Sequence, residues 1–268
     1  IVEAAKAQGL PVQELVDKNT QLFRDFTKLL HMSNDDFIRT TDQKRHWPSV
    51  AKLWKKLQEK GDIYIKEYEG LYCVGCEKFI LEKELVDGKC PIHLKEPRTV
   101  KEENYFFRLS KYADQVRELI EKDAIKVVPR TRKNEILSFL EGEVQDISFS
   151  RQKESLSWGI PVPGDDNQIM YVWCDALTNY ISGVDYATEG PLFKKYWPAD
   201  VHVIGKDILR FHAAYWPAML IGAGVEPPKH IFTHGFVNSK GMKMSKSLGN
   251  VIDPYDQINK YGIEQVRL

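Results

Sequence analysis

Three groups of residues in this chain have the types and spacing to do chemistry. Cys73 and Cys76 are separated by two residues, Cys90 and His93 by two more, and thirteen residues lie between the pairs. Two such knuckles let three thiolates and an imidazole converge tetrahedrally on Zn²⁺, and four protein ligands close the site, so the metal would be structural rather than catalytic. Gly75 and Gly88 stand within and just before the knuckles, where a tight backbone favours residues without a Cβ. Cys174 has no partner motif and reads as a small buried hydrophobe.

The second group is the loop Gly241-Met242-Lys243-Met244-Ser245-Lys246-Ser247-Leu248-Gly249-Asn250. Its lysines offer point charges to a developing phosphoryl charge, its serines add hydrogen bonds, and its glycines let the segment close over a ligand. It lacks the G-x4-G-K-[ST] pattern of a P-loop, and composition alone fits a solvated basic turn as well. The third group is aromatic. Trp173, Ala176, Leu177 and Tyr180 recur at i, i+3, i+4 and i+7, and Phe211, His212, Tyr215 and Trp216 follow further on. By spacing alone both stripes read as core packing, and His212 as a core histidine with its hydrogen bonds satisfied.

The elements that must position these residues follow from periodicity. Residues 11–32 carry apolar positions at helical spacing and predict one helix with a buried face; a second runs from about Pro48 to a stop at Gly61. Residues 62–103 change to short β-like stretches around the cysteines. Helical signals return at 111–121 and around Ile136 and Leu140. Strands are then predicted at Ile169–Trp173, Val201–Ile204 and His230–Thr233, alternating with helices over 175–182 and 207–220. That rhythm implies an α/β fold with a parallel sheet covered on both faces. Ligands in such sheets sit at the carboxyl ends of the strands, which makes Trp173, Gly205 and His234 candidates by position.

Composition excludes several classes. The 268 residues are 43% hydrophobic and 28% charged, with 38 basic against 38 acidic side chains. A formal charge of zero without a block of Lys or Arg argues against a general nucleic-acid or membrane-surface binder. No apolar run approaches the roughly 18 residues of a membrane span, and the start lacks a signal-peptide pattern, so a cytoplasmic protein is expected. Clustered cysteines suit a metal in a reducing compartment. The chain begins with Ile1 and ends at Leu268 in an unfinished amphipathic segment, and is expected to be a fragment cut at both ends.

Lys243-Met244-Ser245-Lys246-Ser247 matches the signature of class I aminoacyl-tRNA synthetases, and further segments resemble the methionyl-tRNA synthetase family. These are Asp36-Phe37-Ile38-Arg39-Thr40-Thr41-Asp42, the knuckle pair, Trp158-Gly159-Ile160-Pro161-Val162-Pro163, Tyr171-Val172-Trp173-Cys174-Asp175-Ala176-Leu177, Ile204-Gly205-Lys206-Asp207-Ile208 and His234-Gly235-Phe236, in family order over nearly the whole chain. The single Cys-Cys-Cys-His set and Asp175-Ala176-Leu177-Thr178-Asn179-Tyr180 resemble a bacterial branch.

The resemblance implies a partial Rossmann-type parallel sheet flanked by helices, with a small zinc-knuckle connective domain inserted. Residues 1–61 would be the rest of the first catalytic half, 62–150 the insertion, 151–238 the second half, and 239–268 the signature loop with the start of a stem-contact region. It implies ATP-dependent activation of L-methionine and transfer to tRNA(Met), with Mg²⁺ accompanying ATP and Zn²⁺ structural. Trp173, Ala176, Tyr180, Phe211, His212 and Trp216 would line the methionine side chain, with Tyr180 and His212 donating to its sulfur. Gly205, Asp207, Ile208, His234, Gly235 and Val237 would hold the nucleotide, Lys246 and Lys243 the pyrophosphate, and Arg151 would stand near the reacting groups, where a surface salt bridge is its alternative. The family's His-Ile-Gly-His segment and anticodon-binding domain do not occur in the sequence, so this chain alone is expected not to exchange pyrophosphate or charge tRNA. The rival expectations are a zinc-knuckle RNA-binding module and a class I relative for another amino acid.

Overall fold

The computed structural model describes residues 1–75, 78–92, 94–239, 241–244 and 250–268. Helix α1 (Val2–Ala7) leads to α2 (Val12–Leu29), and Pro11 sits just ahead of the latter. The predicted stripe does form a helix, but its buried face needs correcting: only Leu15 is buried, while Leu22 and Phe23 stay exposed. Periodicity makes a helix amphipathic; burial also requires an opposing surface, and α2 meets mainly single side chains, Tyr255 against Phe26, Phe37 under Arg24 and Arg39 on Asp17. Helix α3 (Trp47–Glu59) carries Pro48 in its first turn, buries Val50, Leu53, Trp54 and Leu57, and stops at Gly61, whose φ of +70° suits glycine.

Strands β1 (Ile63–Cys73) and β3 (Arg98–Phe107) form a long antiparallel arm, in register from Ile63↔Phe107 to Tyr72↔Arg98, with β2 (Lys78–Ile80) on its outer edge. Its tip turns through Asp87 and Gly88, both at positive φ, between the bridged Val86 and Lys89; this Asp-Gly sequence suits the left-handed pair that a two-residue hairpin turn demands. Its root is fixed in the principal core by rings. Phe107 stacks on Phe149 at 4.9 Å, and Trp54 meets Tyr105 edge-on at 5.6 Å.

Helix α4 (Leu109–Glu121), strand β4 (Lys126–Val128), helix α5 (Arg130–Glu141) and strand β5 (Ile147–Ser148) follow, β5 completing the arm's sheet beside β3. Strands β6 (Ser150–Gln152), β7 (Pro161–Val162) and β8 (Asp165–Met170) make an antiparallel sheet in the order β6-β8-β7. This corrects the prediction for Ile169–Trp173: the strand ends at Met170 and lies outside the parallel sheet. Tyr171 caps helix α6 (Val172–Ser182), so Trp173 occupies a first helical turn instead of a strand end. Gly159 before β7 has φ +149°, and a Cβ there would come 2.6 Å from Ile169 Cγ2, so only glycine fits.

After helix α7 (Pro191–Tyr196), strand β9 (His202–Gly205), helix α8 (Trp216–Gly222) and strand β10 (His230–His234) complete the parallel sheet, in the order β4-β10-β9. β4 comes from the range 62–150, so the parallel sheet draws a strand from sequence assigned to the insertion. The expected cover on both faces also needs correction. Ile204, Ile231 and Thr233 point into the core, whereas Val203 is 64% exposed and Phe232 45% on the other face, where the described residues supply no helix. Strands β11 (Asn238–Ser239) and β12 (Met242–Lys243) form a hairpin directly after β10, and α9 (Pro254–Tyr261), capped by Asp253, and α10 (Ile263–Arg267) end the chain.

Candidate active site

The segment predicted as one helix over 207–220 is three pieces: a tight 3-10 turn at Lys206–Ile208, a wide π turn at Phe211–Tyr215, and α8. Pro217 explains the wide turn: it has no N–H to donate to the fourth residue before it, and its ring would crowd that carbonyl, so the backbone opens by one residue. This opening sets Phe211 and His212 opposite helix α6. Trp173 stacks on Phe211 with centroids 3.9 Å apart and planes at 9°, and lies edge-on to His212 at 6.1 Å. Ala176 and Tyr180 share the Trp173 stripe of α6, as the i, i+3, i+7 spacing predicts, and all three remain half-buried.

Behind the rings is a polar chain. His212 is buried and its Nδ1 lies 2.9 Å from the Ile208 carbonyl oxygen, which can only accept, so Nδ1 carries the hydrogen. Burial depresses the pKa of the ring, keeping it neutral, so Nε2 accepts from the Tyr180 hydroxyl at 2.8 Å. Burial likewise raises the Tyr180 pKa, which holds the hydroxyl as a donor. The two donors expected for a substrate sulfur are therefore engaged, His212 with the backbone and Tyr180 with His212. Sequence reasoning missed His202. It packs 4.1 Å from Tyr180, accepts from Trp216 Nε1 at 3.3 Å, and burial pushes its pKa down to about 3. Its alternation within β9 places it on the core face, which was the only available signal. Trp216 is fully buried behind Tyr180 and backs the ring group instead of presenting a face to it.

The nucleotide candidates meet at the carboxyl edge of the parallel sheet. Gly205 and His234 are register partners at the ends of β9 and β10, and a Cβ on Gly205 would come 2.9 Å from Asp207 Oδ1 and 3.7 Å from His234 Cε1. His234 Nδ1 lies 2.8 Å from the Gly235 carbonyl oxygen, Asp207 is exposed, Ile208 half-buried, and Val237 stands exposed beyond them. The Ile208 carbonyl that accepts from His212 thus joins this group to the rings. The Val237 carbonyl accepts from the Met244 amide at 3.2 Å, so the backbone carrying Lys243 leaves from the same edge. Lys246 lies outside the described residues.

Arg151 is not the surface salt bridge of the alternative expectation. It is 5% exposed, donates through Nη1 to Ser148 Oγ at 2.8 Å and to the Ser150 carbonyl at 2.6 Å, and its guanidinium lies 4.7 Å from the Tyr171 ring and 5.3 Å from Tyr72. It opens on a cavity of about 190 Å³ that Phe211 and Arg210 also line. Of the knuckle residues, Cys73 and Cys90 are buried in a small cluster with Ile80, separate from the principal core. Cys76 and His93 lie outside the described residues, and no ligand group is complete among those described. Cys174 is buried, and burial pushes its thiol well above its ordinary pKa, as an inert packing residue requires. No described helix is long and apolar enough to cross a membrane.

Known proteins resemble this chain along its whole length. The family model described as tRNA synthetases class I (M) matches residues 1–96 and 81–268. Methionine–tRNA ligase of Clostridium perfringens is 48% identical over the whole chain, which covers 41% of that protein; the Mycobacterium tuberculosis ligase is 45% identical, with 52% of it covered. The chain thus spans about half the length of the curated relatives it matches. A crystal structure of the M. tuberculosis methionyl-tRNA synthetase bound by methionyl-adenylate superposes with a TM-score of 0.92 at 44% identity, over 99% of this chain and 52% of that one. The free form of the same enzyme gives 0.83 at 41% identity, over 96% and 50%. These likenesses extend over the whole chain and include the Rossmann-like fold with its parallel sheet, and this chain belongs to the methionyl-tRNA synthetase family of class I tRNA synthetases.

Proposed function

We propose that the protein carrying this chain activates L-methionine with ATP to methionyl-adenylate and transfers the methionyl group to tRNA(Met) in the cytoplasm. Attack of the methionine carboxylate on the α-phosphate of ATP releases pyrophosphate; the terminal ribose hydroxyl of tRNA then takes the methionyl group and AMP leaves. Both steps need alignment and charge neutralisation more than covalent help from the protein. Gly205, Asp207, Ile208, His234, Gly235 and Val237 would bind the nucleotide, and Lys246 and Lys243 the departing pyrophosphate, with Mg²⁺ arriving as part of the ATP substrate. Arg151 would add positive potential beside Tyr171.

Trp173, Ala176, Tyr180, Phe211 and His212 would take the methionine side chain, with Trp216 supporting Tyr180 from behind. Burying a methionine side chain fully contributes about 1.5–3 kcal/mol, and a sulfur against the Trp173 and Phe211 rings about 0.3–1.5 kcal/mol more. With the Tyr180 and His212 hydrogens engaged, selection against leucine rests on shape and these sulfur–ring contacts. The carrying observation is the Ile208 carbonyl, one hydrogen bond from His212 and three residues from Gly205.

A structural Zn²⁺ fits the arm tip, where the Cys73 and Cys90 thiols are buried together in a cluster too small to be a core by itself. Cys73, Cys76, Cys90 and His93 would hold it, and its bonds would tie β1 to the segment after the Asp-Gly turn. The rival reading as an RNA-binding zinc module has no observation in its favour. The test is methionine-dependent exchange of pyrophosphate into ATP by the full-length polypeptide. Exchange specific for methionine over leucine and cysteine is expected, falling about a hundredfold or more in Lys246→Ala. Full exchange in that variant, or none in the parent, refutes the reading.

A further inference from the structure

The machinery above makes no use of His46, which is fully buried. Its ring is held at both nitrogens: Nε2 lies 2.6 Å from Asp175 Oδ1, and Nδ1 lies 2.7 Å from Ser182 Oγ. Asp175 and Ser182 are seven residues apart on α6 and therefore share one side of that helix, two turns from each other. Trp173 is two residues from Asp175 and Tyr180 two from Ser182, each a rotation of roughly 200°, so these rings face away from the clamp, with Ala176 about 100° from Asp175 at the edge of their stripe. One imidazole thus clamps the back of the helix whose front carries the substrate rings.

The clamp is itself rigidly mounted. His46 sits at the amino end of α3, and its amide donates to the Asp42 carbonyl at 2.9 Å. Asp42 Oδ1 accepts from the amides of Lys44 and Arg45 at 3.0 Å each, and Trp47 Nε1 donates to the Thr40 carbonyl at 3.1 Å. α3 in turn is held in the core by Trp54 and Leu57. Rotation or sliding of α6 would require breaking both bonds to the ring.

We propose that His46 and Asp175 are positioning residues for methionine recognition: their bond, with that of Ser182, sets the rotation and axial position of α6 and hence the seating of Trp173 against Phe211. This rests on the assignment of the Trp173 stripe to the methionine side chain. A ring stack at 3.9 Å tolerates little displacement, so losing the clamp should weaken methionine binding and leave the nucleotide edge, built on β9 and β10, unaffected.

The test uses steady-state exchange in the full-length polypeptide and 19F spectra of the 5-fluorotryptophan-labelled protein, with the Trp173 signal assigned through Trp173→Phe. Asp175→Ala should raise the methionine KM by about tenfold or more while the ATP KM changes less than about twofold, and should move the Trp173 resonance but not that of Trp54. Asp175→Asn offers both an acceptor oxygen and a donor amide to Nε2 and should recover most of the loss; His46→Ala should match Asp175→Ala, and the double variant should add little. Equal changes in both KM values, or a Trp173 resonance unmoved in both single alanine variants, overturn the proposal. Absence of exchange in the parent protein would instead remove the functional reading, and the Trp173 resonance would still decide whether the clamp sets the helix.

Discussion

Replacing Tyr180 with Phe removes one hydroxyl group from the site and leaves the ring. The ring remains, so its packing against His202 at 4.1 Å and Trp216 at 6.3 Å is retained and the transfer contribution is near zero. What is lost is the one donor that the described residues give to His212 Nε2, a buried acceptor whose other nitrogen is committed to Ile208. Leaving a buried acceptor unsatisfied costs about 1–3 kcal/mol. For a chain of this size a urea m-value of about 3 kcal/mol/M turns that into a midpoint lowered by about 0.3–1 M with m unchanged. The assay is urea unfolding at pH 7.5, repeated in the His212→Leu background, where there is no acceptor to strand. The cycle should yield a coupling of about 1 kcal/mol or more. A midpoint unchanged by Tyr180→Phe, or the same loss with and without His212, would refute the tautomer argument and with it the conclusion that both donors are engaged.

Two further outcomes follow from burial and from the knuckles. His202 titrates at about 3 in the fold against 6.5 unfolded, so between those values the unfolded chain binds the extra proton and stability falls as pH drops below 6.5. The slope approaches about 1.4 kcal/mol per pH unit, His212 adds to it with the same sign, and the penalty is absent above pH 6.5. Urea midpoints from pH 8 to 5 should show this, and an NMR titration placing His202 near 6.5 would contradict it. Elemental analysis of protein purified without added metal should give about one zinc per chain, and Cys90→Ser should abolish it. Chelation should raise amide exchange at the tip, near Tyr72 and Arg98, and leave β9 and β10 protected; a metal-free protein with the same tip protection would exclude the site.

Local signals in the sequence located most elements. Pro48 and Gly61 bracket α3 because proline suits a first helical turn and glycine a left-handed stop. Gly88, expected where a tight backbone precedes the second knuckle, does lie in the arm's turn at positive φ. Where prediction went astray, distant contacts decided. Ile169 to Trp173 is a continuous apolar run, yet Met170 closes an antiparallel ladder with Ser150 and Tyr171 starts a helix, and no property of the five residues distinguishes those fates. The stretch 207–220 has helical periodicity, but Pro217 forces a wide turn within it.

The amino-acid sequence by itself determined the types of group available: thiols in paired knuckles, lysines and serines in a glycine-bounded loop, rings at helical spacing, and apolar strands alternating with helices. These are properties of composition and period, which survive without knowing what each residue touches. Only the tertiary structure decided that Tyr180 donates to His212, that His202 and Trp216 stand behind Tyr180, and that His46 grips α6 from the side away from the rings. Each of these is a hydrogen bond or a desolvation set by groups far apart in the chain, 136 residues apart for His46 and Ser182. Their direction and strength come from burial, which no local pattern encodes.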